Sequence, residues 1–180
     1  MRGFAIVLAL MASTPSVQLL EVHPGTPPLE VRILPGPASA NAENIPPDQA
    51  RQPHRIGRVE IARQGESKPL QTIEVLGYGS PRDLAHSRFE DVNFDGYADL
   101  LLGHDGGAKW EGYEIHLYDP AKGSFVQNGL SREMSEKLTG HTLDFYREKK
   151  EIVLTHLRDS SAEIETFVIR DGALKEVSHR

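Results

Sequence analysis

The chain has 180 residues, with 20 basic and 26 acidic side chains and no cysteine. That length favours one well-buried domain over two. The acidic balance, with no dense Lys/Arg cluster, argues against nucleic acid as a partner, and the lack of cysteine leaves stability to the core and to any bound ion.

The first residues, MRGFAIVLALMAST, set Arg2 before an apolar run from Phe4 to Ala12 and then small residues, which is the order of a secretory signal peptide, taken as residues 1–16. An ordinary buried strand or helix over residues 4–12 is the alternative. The run is too short to span a membrane, and no later stretch approaches the needed length. An exported protein is therefore expected. Cleavage removes Arg2 and no acid, leaving 19 basic against 26 acidic side chains, a net charge of −7. Residues 17–54 read as a Pro-rich segment, with eight prolines between Glu21 and His54 and one short strand, LEVRIL, at 29–34.

Compact structure is expected from residue 55 to residue 180. GRVEIA alternates Val59 and Ile61 with polar neighbours, LQTIEVL does so with Ile73 and Val75, and YEIHLY sets Tyr113, Ile115 and Leu117 on one face. Leu130, Met134 and Leu138 form the one convincing helical stripe, with Ser131 placed to cap it. TLDFYRE, EIVLTHL and AEIETFVI follow, and Asp171-Gly172 turns the last of these into ALKEVS. The expected fold is all-β: a single antiparallel sandwich or barrel-like domain of about nine strands with one short helix and one calcium loop.

That loop is DVNFDGYAD at residues 91–99. Calcium takes six to eight oxygen ligands, and a loop supplies them when alternate side chains converge while the backbone curls around the ion. Asp91, Asn93 and Asp95 stand at positions one, three and five, Gly96 permits the sharp turn, Tyr97 offers its backbone carbonyl, and Asp99 stands at position nine. Three carboxylates so close together repel one another without a cation. Position 12, a glutamate in an EF-hand, is Leu102, so this loop enters a strand. An Asx-rich turn without an ion is the bland alternative. Asp105 is either a further ligand or a solvated loop residue.

FEDVNFDGYADLLLG resembles the calcium loops of integrin-like β-propeller repeats. The motif occurs once here where those proteins repeat it several times, which by arithmetic rules out a propeller. More widely, LQTIEV, the loop with its strands, GGAKWEGYEIHLYDPAKGSFV, a short helix and RDGALKEV resemble the periplasmic immunity proteins that protect bacteria from peptidoglycan-cleaving effectors of a bacteria-killing type IV secretion system. The resemblance covers roughly residues 56–177. It implies a calcium-stabilised β domain, similar to periplasmic lysozyme inhibitors, whose loops enter the cleft of a lysozyme or a peptidoglycan hydrolase effector. Family members often carry a glycine-rich turn with an aromatic residue before the penultimate strand. This sequence reads RDSSAEIET there, which leaves open which loop inhibits.

A glycosidase holds two carboxylates across a groove, so a plug needs hydrogen-bond donors on an exposed loop. HDGGAKWEGY at 104–113 offers His104, Lys109 and Trp110, the tryptophan serving as interface anchor or as cover for the sheet end. RDSSAE at 158–163 offers Arg158, Ser160 and Ser161, unless it is an ordinary polar hairpin. No cysteine nucleophile, G-x-S-x-G, H-E-x-x-H or phosphate-binding glycine loop is present, and the chain is read as a non-enzyme. His116 and His156 read as sheet residues, and Glu111 with Glu114 as solvated glutamates. The alternative function is a calcium-stabilised cell-wall or surface binding module without inhibitory activity.

Overall fold

Period-two alternation of apolar and polar residues recurs along most of the chain, and strands form wherever it does. The computed structural model describes residues 16–35, 54–77, 84, 86–105, 111–158 and 161–180. Among these, twelve strands fall into three antiparallel sheets of four. The first holds β1 (Ser16–Leu20), β2 (Leu29–Pro35), β3 (His54–Arg63) and β4 (Gln71–Gly77). The second holds β5 (Arg88–Glu90), β6 (Asp99–Asp105), β7 (Glu111–Asp119) and β8 (Ser124–Val126). After helix α1 (Gly129–Lys137) come β9 (Thr142–Tyr146), β10 (Glu151–Arg158), β11 (Ser161–Arg170) and β12 (Ala173–His179). Within each sheet, strands neighbour one another in chain order, so each is an up-and-down meander.

The middle sheet is covered on both faces. Leu100 and Leu102 on β6 join Val31, Ile33, Val59, Ile61, Ile73 and Val75 of the first sheet in one core. Leu101, with Tyr113, Ile115 and Leu117 of β7, joins Leu143, Ile152, Leu154 and Phe167 of the third sheet in another. A strand buried on both sides needs apolar residues at every position. The uninterrupted Leu100-Leu101-Leu102 is that pattern, and all three side chains are fully buried.

All-β architecture is therefore what forms, but two expectations need correction. Among the described residues there are twelve strands, not about nine, in three antiparallel sheets with two cores between them. Strands before residue 55 supply part of the difference: β1 and β2 both join the first sheet, and Val22, Val31 and Ile33 lie in its core. Compact structure thus reaches back to residue 16, because Pro27 and Pro28 precede β2 and Pro35 is its last residue, so no proline interrupts its ladder. Ser16, placed at the end of the leader, begins β1. The rest of the leader and residues 36–53 lie outside the described residues. A single copy of the loop motif also says less about architecture than expected, since four-stranded meanders are the units propellers repeat, and three occur here with one loop between them.

The helix carries its expected stripe: Met134 and Leu138 are fully buried and Leu130 packs beside them. Its cap is Asn128, not Ser131. Asn128 accepts from the Ser131 backbone N–H, and the Ser131 hydroxyl accepts from the Asn128 N–H, a capping box. Ser135 then accepts a hydrogen bond from Ile115 N at 2.9 Å, so α1 covers the part of the β7 edge that short β8 leaves unpaired. Asp171 and Gly172 both adopt positive φ, 53° and 71°, giving the expected tight hairpin between β11 and β12.

Candidate metal centre

The loop begins where β5 ends and closes where β6 begins, so both of its ends are held by the ladder between Glu90 and Asp99. Phe94 and Gly96 take positive φ, 61° and 95°, which turns the backbone inward at two points. Backbone N–H groups then fix the side chains. Asp91 accepts from Asp95 N and Gly96 N, both at 3.0 Å. Asn93 Oδ1 accepts from Asp95 N at 3.1 Å, and Asp95 Oδ1 accepts from Tyr97 N at 2.9 Å. Asp99 lies beneath them, fully buried, with Oδ2 accepting from Val92 N at 3.0 Å and Oδ1 from Tyr118 N at 2.8 Å.

This arrangement concentrates negative charge. Burial pushes the Asp99 carboxyl up from 3.8 to about 7, and Asp95 and Asp91 push in the same direction, against the two backbone hydrogen bonds that favour ionisation. Among the described residues, the cationic side chain paired to the loop is Arg147, whose Nη2 lies 3.6 Å from Asp91 Oδ2. A hard divalent cation fits such a donor set, since carboxylate, amide and carbonyl oxygens are its preferred ligands. The three carboxylates do not, however, close within 4.8 Å of one another. Asp95 turns Oδ2 to the Asn93 amide N–H at 2.9 Å, a donor whose place a cation would take. Asp105 is excluded as a further ligand: it ends β6, six residues from Asp99, or roughly 20 Å along a strand.

Three contacts around the loop were not legible from spacing. Val22 O accepts from Ala98 N at 2.7 Å. The His23 ring lies 4.8 Å from that of Tyr97, which stacks on Tyr118 at 5.6 Å. Arg147, in the turn between β9 and β10, reaches Asp91 from the other side. The loop thus sits in the middle sheet with a segment of each outer sheet against it. Pro24-Gly25 beside His23 marks a turn, but nothing in the sequence tells where a turn docks.

Of the residues expected to meet a partner, Arg158 and Ser161 stand directly opposite each other across β10 and β11, and both are exposed. Arg158 pairs with Glu163 at 2.6 Å. Of His104, the backbone place near the end of β6 is described; Lys109, Trp110 and Ser160 lie outside the described residues. His116 is a buried sheet residue, its Nε2 2.8 Å from Glu114 Oε1. The one group of His and carboxylate ligand atoms gathered within 4.8 Å among the described residues is elsewhere, at Glu163, Glu165 and His179. No helix among the described residues is long and apolar enough to cross a membrane. Comparison with protein-family models, curated proteins and solved structures finds no match to this chain.

Proposed function

We propose that this chain is an exported, periplasmic calcium-binding protein that inhibits a peptidoglycan hydrolase, a lysozyme-like glycosidase, by inserting loops into its active-site cleft, as an immunity protein does. It acts without catalysis of its own. Calcium is held by Asp91, Asn93, Asp95, the Tyr97 carbonyl and Asp99, and its work is to fix the scaffold.

One observation carries the reading beyond resemblance: both candidate inhibitory segments leave the scaffold at the same end. Arg147 touches Asp91, so the turn between β9 and β10 lies at the calcium-loop end of the stack. β10 runs away from that turn to Arg158, and β6 runs away from the loop to Asp105. The connections at 106–110 and 159–160 therefore start from the far end of neighbouring sheets, where two loops can enter one cleft together. Strand ends fixed side by side on one frame support insertion, because their placement costs no ordering entropy on binding.

The test is inhibition of lytic glycosidases by the mature chain in calcium. The expected result is stoichiometric inhibition of one of them, weakened at least tenfold by Trp110→Ala or Arg158→Ala. A second reading, a cell-wall or surface binding module, draws on the placement of the loop between the first two strands of a four-stranded meander, the propeller unit. Glycan binding with no inhibition of any hydrolase decides for that reading and against the first.

A further inference from the structure

The core-facing side of the third sheet changes character along its strands. On β10 it reads Ile152, Leu154, then His156, and the residues opposite on β11 are Phe167, Glu165 and Glu163. On β12, His179 stands opposite Glu165. Past the last buried leucine, then, two histidines and two glutamates share one face of three adjacent strands.

They are close. His179 Nε2 lies 2.7 Å from Glu163 Oε1 and its Nδ1 lies 3.8 Å from Glu165 Oε1. One ligand atom from each of these three residues falls within 4.8 Å of the others. His156 Nε2 approaches from β10, 3.8 Å from Glu165 Oε2, with its side chain largely buried. Gly140 makes room for that ring: a Cβ there would meet Leu154 Cδ1 at 2.6 Å and His156 Cε1 at 3.2 Å.

We propose that His179, Glu163, Glu165 and His156 form a site for a divalent transition metal of the zinc class, distinct from the calcium loop. Two ligands of a tetrahedral zinc ion, each about 2.0–2.2 Å from it, stand about 3.3 Å apart. The His179–Glu163 and His156–Glu165 separations of 2.7 and 3.8 Å bracket that value; Glu163, Glu165 and His179 already gather their donors within 4.8 Å, and His156 joins them through Glu165. Imidazole nitrogen beside carboxylate selects zinc and its neighbours over calcium, which takes oxygen. Arg158 occupies Glu163 Oε2 and leaves Oε1 toward His179, the place of an outer partner that orients a ligand. The site does not depend on the inhibitor reading.

Titration calorimetry of the full mature chain without an affinity tag, in excess calcium, tests the proposal with zinc chloride as ligand. One equivalent should bind, at least tenfold more weakly in His179→Ala and in Glu165→Gln, and unchanged in Asp95→Ala. His179 is half-exposed near the chain end, so its replacement leaves the fold intact, and an unchanged circular dichroism spectrum checks this. Cobalt in place of zinc should give the intense visible absorption of a tetrahedral ion. Absence of a saturable single equivalent, or equal zinc affinity in wild type and both variants, overturns the assignment.

Discussion

Asp99 is a fully buried carboxylate held by two backbone N–H groups and crowded by two other acids, and its protonation sets the behaviour of the metal-free loop. Its folded value, about 7, lies above its ordinary 3.8. Between these values the folded chain holds more of this proton than the unfolded chain. Stability of the metal-free protein therefore falls as pH rises through that window and levels off above it. In chelator, the melting temperature should drop from pH 5 to pH 7.5, and Asp99→Asn should flatten the drop; parallel profiles for the two proteins would refute this. On the proposed reading calcium reverses the argument, since it would bind the ionised form. At free calcium about 100 times Kd, mass action adds roughly 2.7 kcal/mol, or roughly 5–10 °C for a domain of this size. Asp95→Ala should erase that gain, and a variant that keeps it would show that the ion sits elsewhere. The turn of the loop and its Asx hydrogen bonds were legible from spacing alone, because loop geometry is local. Arg147 and His23 were not, because they arrive from other sheets.

Elements show the same division between local and distant causes. The helix was legible from Leu130, Met134 and Leu138, yet its cap moved to Asn128, because a capping box satisfies two N–H groups where Ser131 alone satisfies one. Asn128→Ala should lower stability by about 1 kcal/mol, read as a shifted denaturation midpoint, while Gln127→Ala, at a neighbouring exposed side chain, should leave the midpoint in place. Equal effects would mean that the cap contributes nothing of its own. Between sheets, the Gln71 side chain acts as a short extra strand. Its amide donates to Phe125 O at 2.6 Å and its carbonyl accepts from Phe125 N at 2.9 Å, joining β4 to β8. Gln71→Leu leaves both backbone groups of a buried phenylalanine without this partner and should cost about 2 kcal/mol. Nothing in LQTIEV separates Gln71 from any exposed polar residue of an alternating strand. The run Leu100-Leu101-Leu102, by contrast, did carry the information that its strand has two covered faces.

At the scale of the molecule, parts of all three sheets meet at the loop at residues 91–99. Ala98 ties it to Val22, Tyr97 to His23, and Asp91 to Arg147, while Asp99 holds β7 through Tyr118 N. Each contact is small, a hydrogen bond or a ring face or a long ion pair, and each depends on the loop keeping its shape. Without a cation, the repulsion among Asp91, Asp95 and Asp99 is borne by backbone hydrogen bonds, the Asn93 amide and the long Arg147 pair. Calcium removal should therefore loosen segments remote in sequence. Hydrogen exchange of the mature chain with and without chelator should show faster exchange at residues 16–26 and 143–150 as well as at 88–105. The amides of β10 and β11, paired with each other along the whole of β10 and flanked by β9 and β12, should change little. Local unfolding confined to 91–99 would mean that the outer sheets rest on their cores alone. Exchange that quickens uniformly across all three sheets would mean that the ion stabilises the whole chain without acting at a junction. The expected pattern, outer turns released before outer cores, is what distinguishes a clamp between sheets from a loop that merely binds an ion.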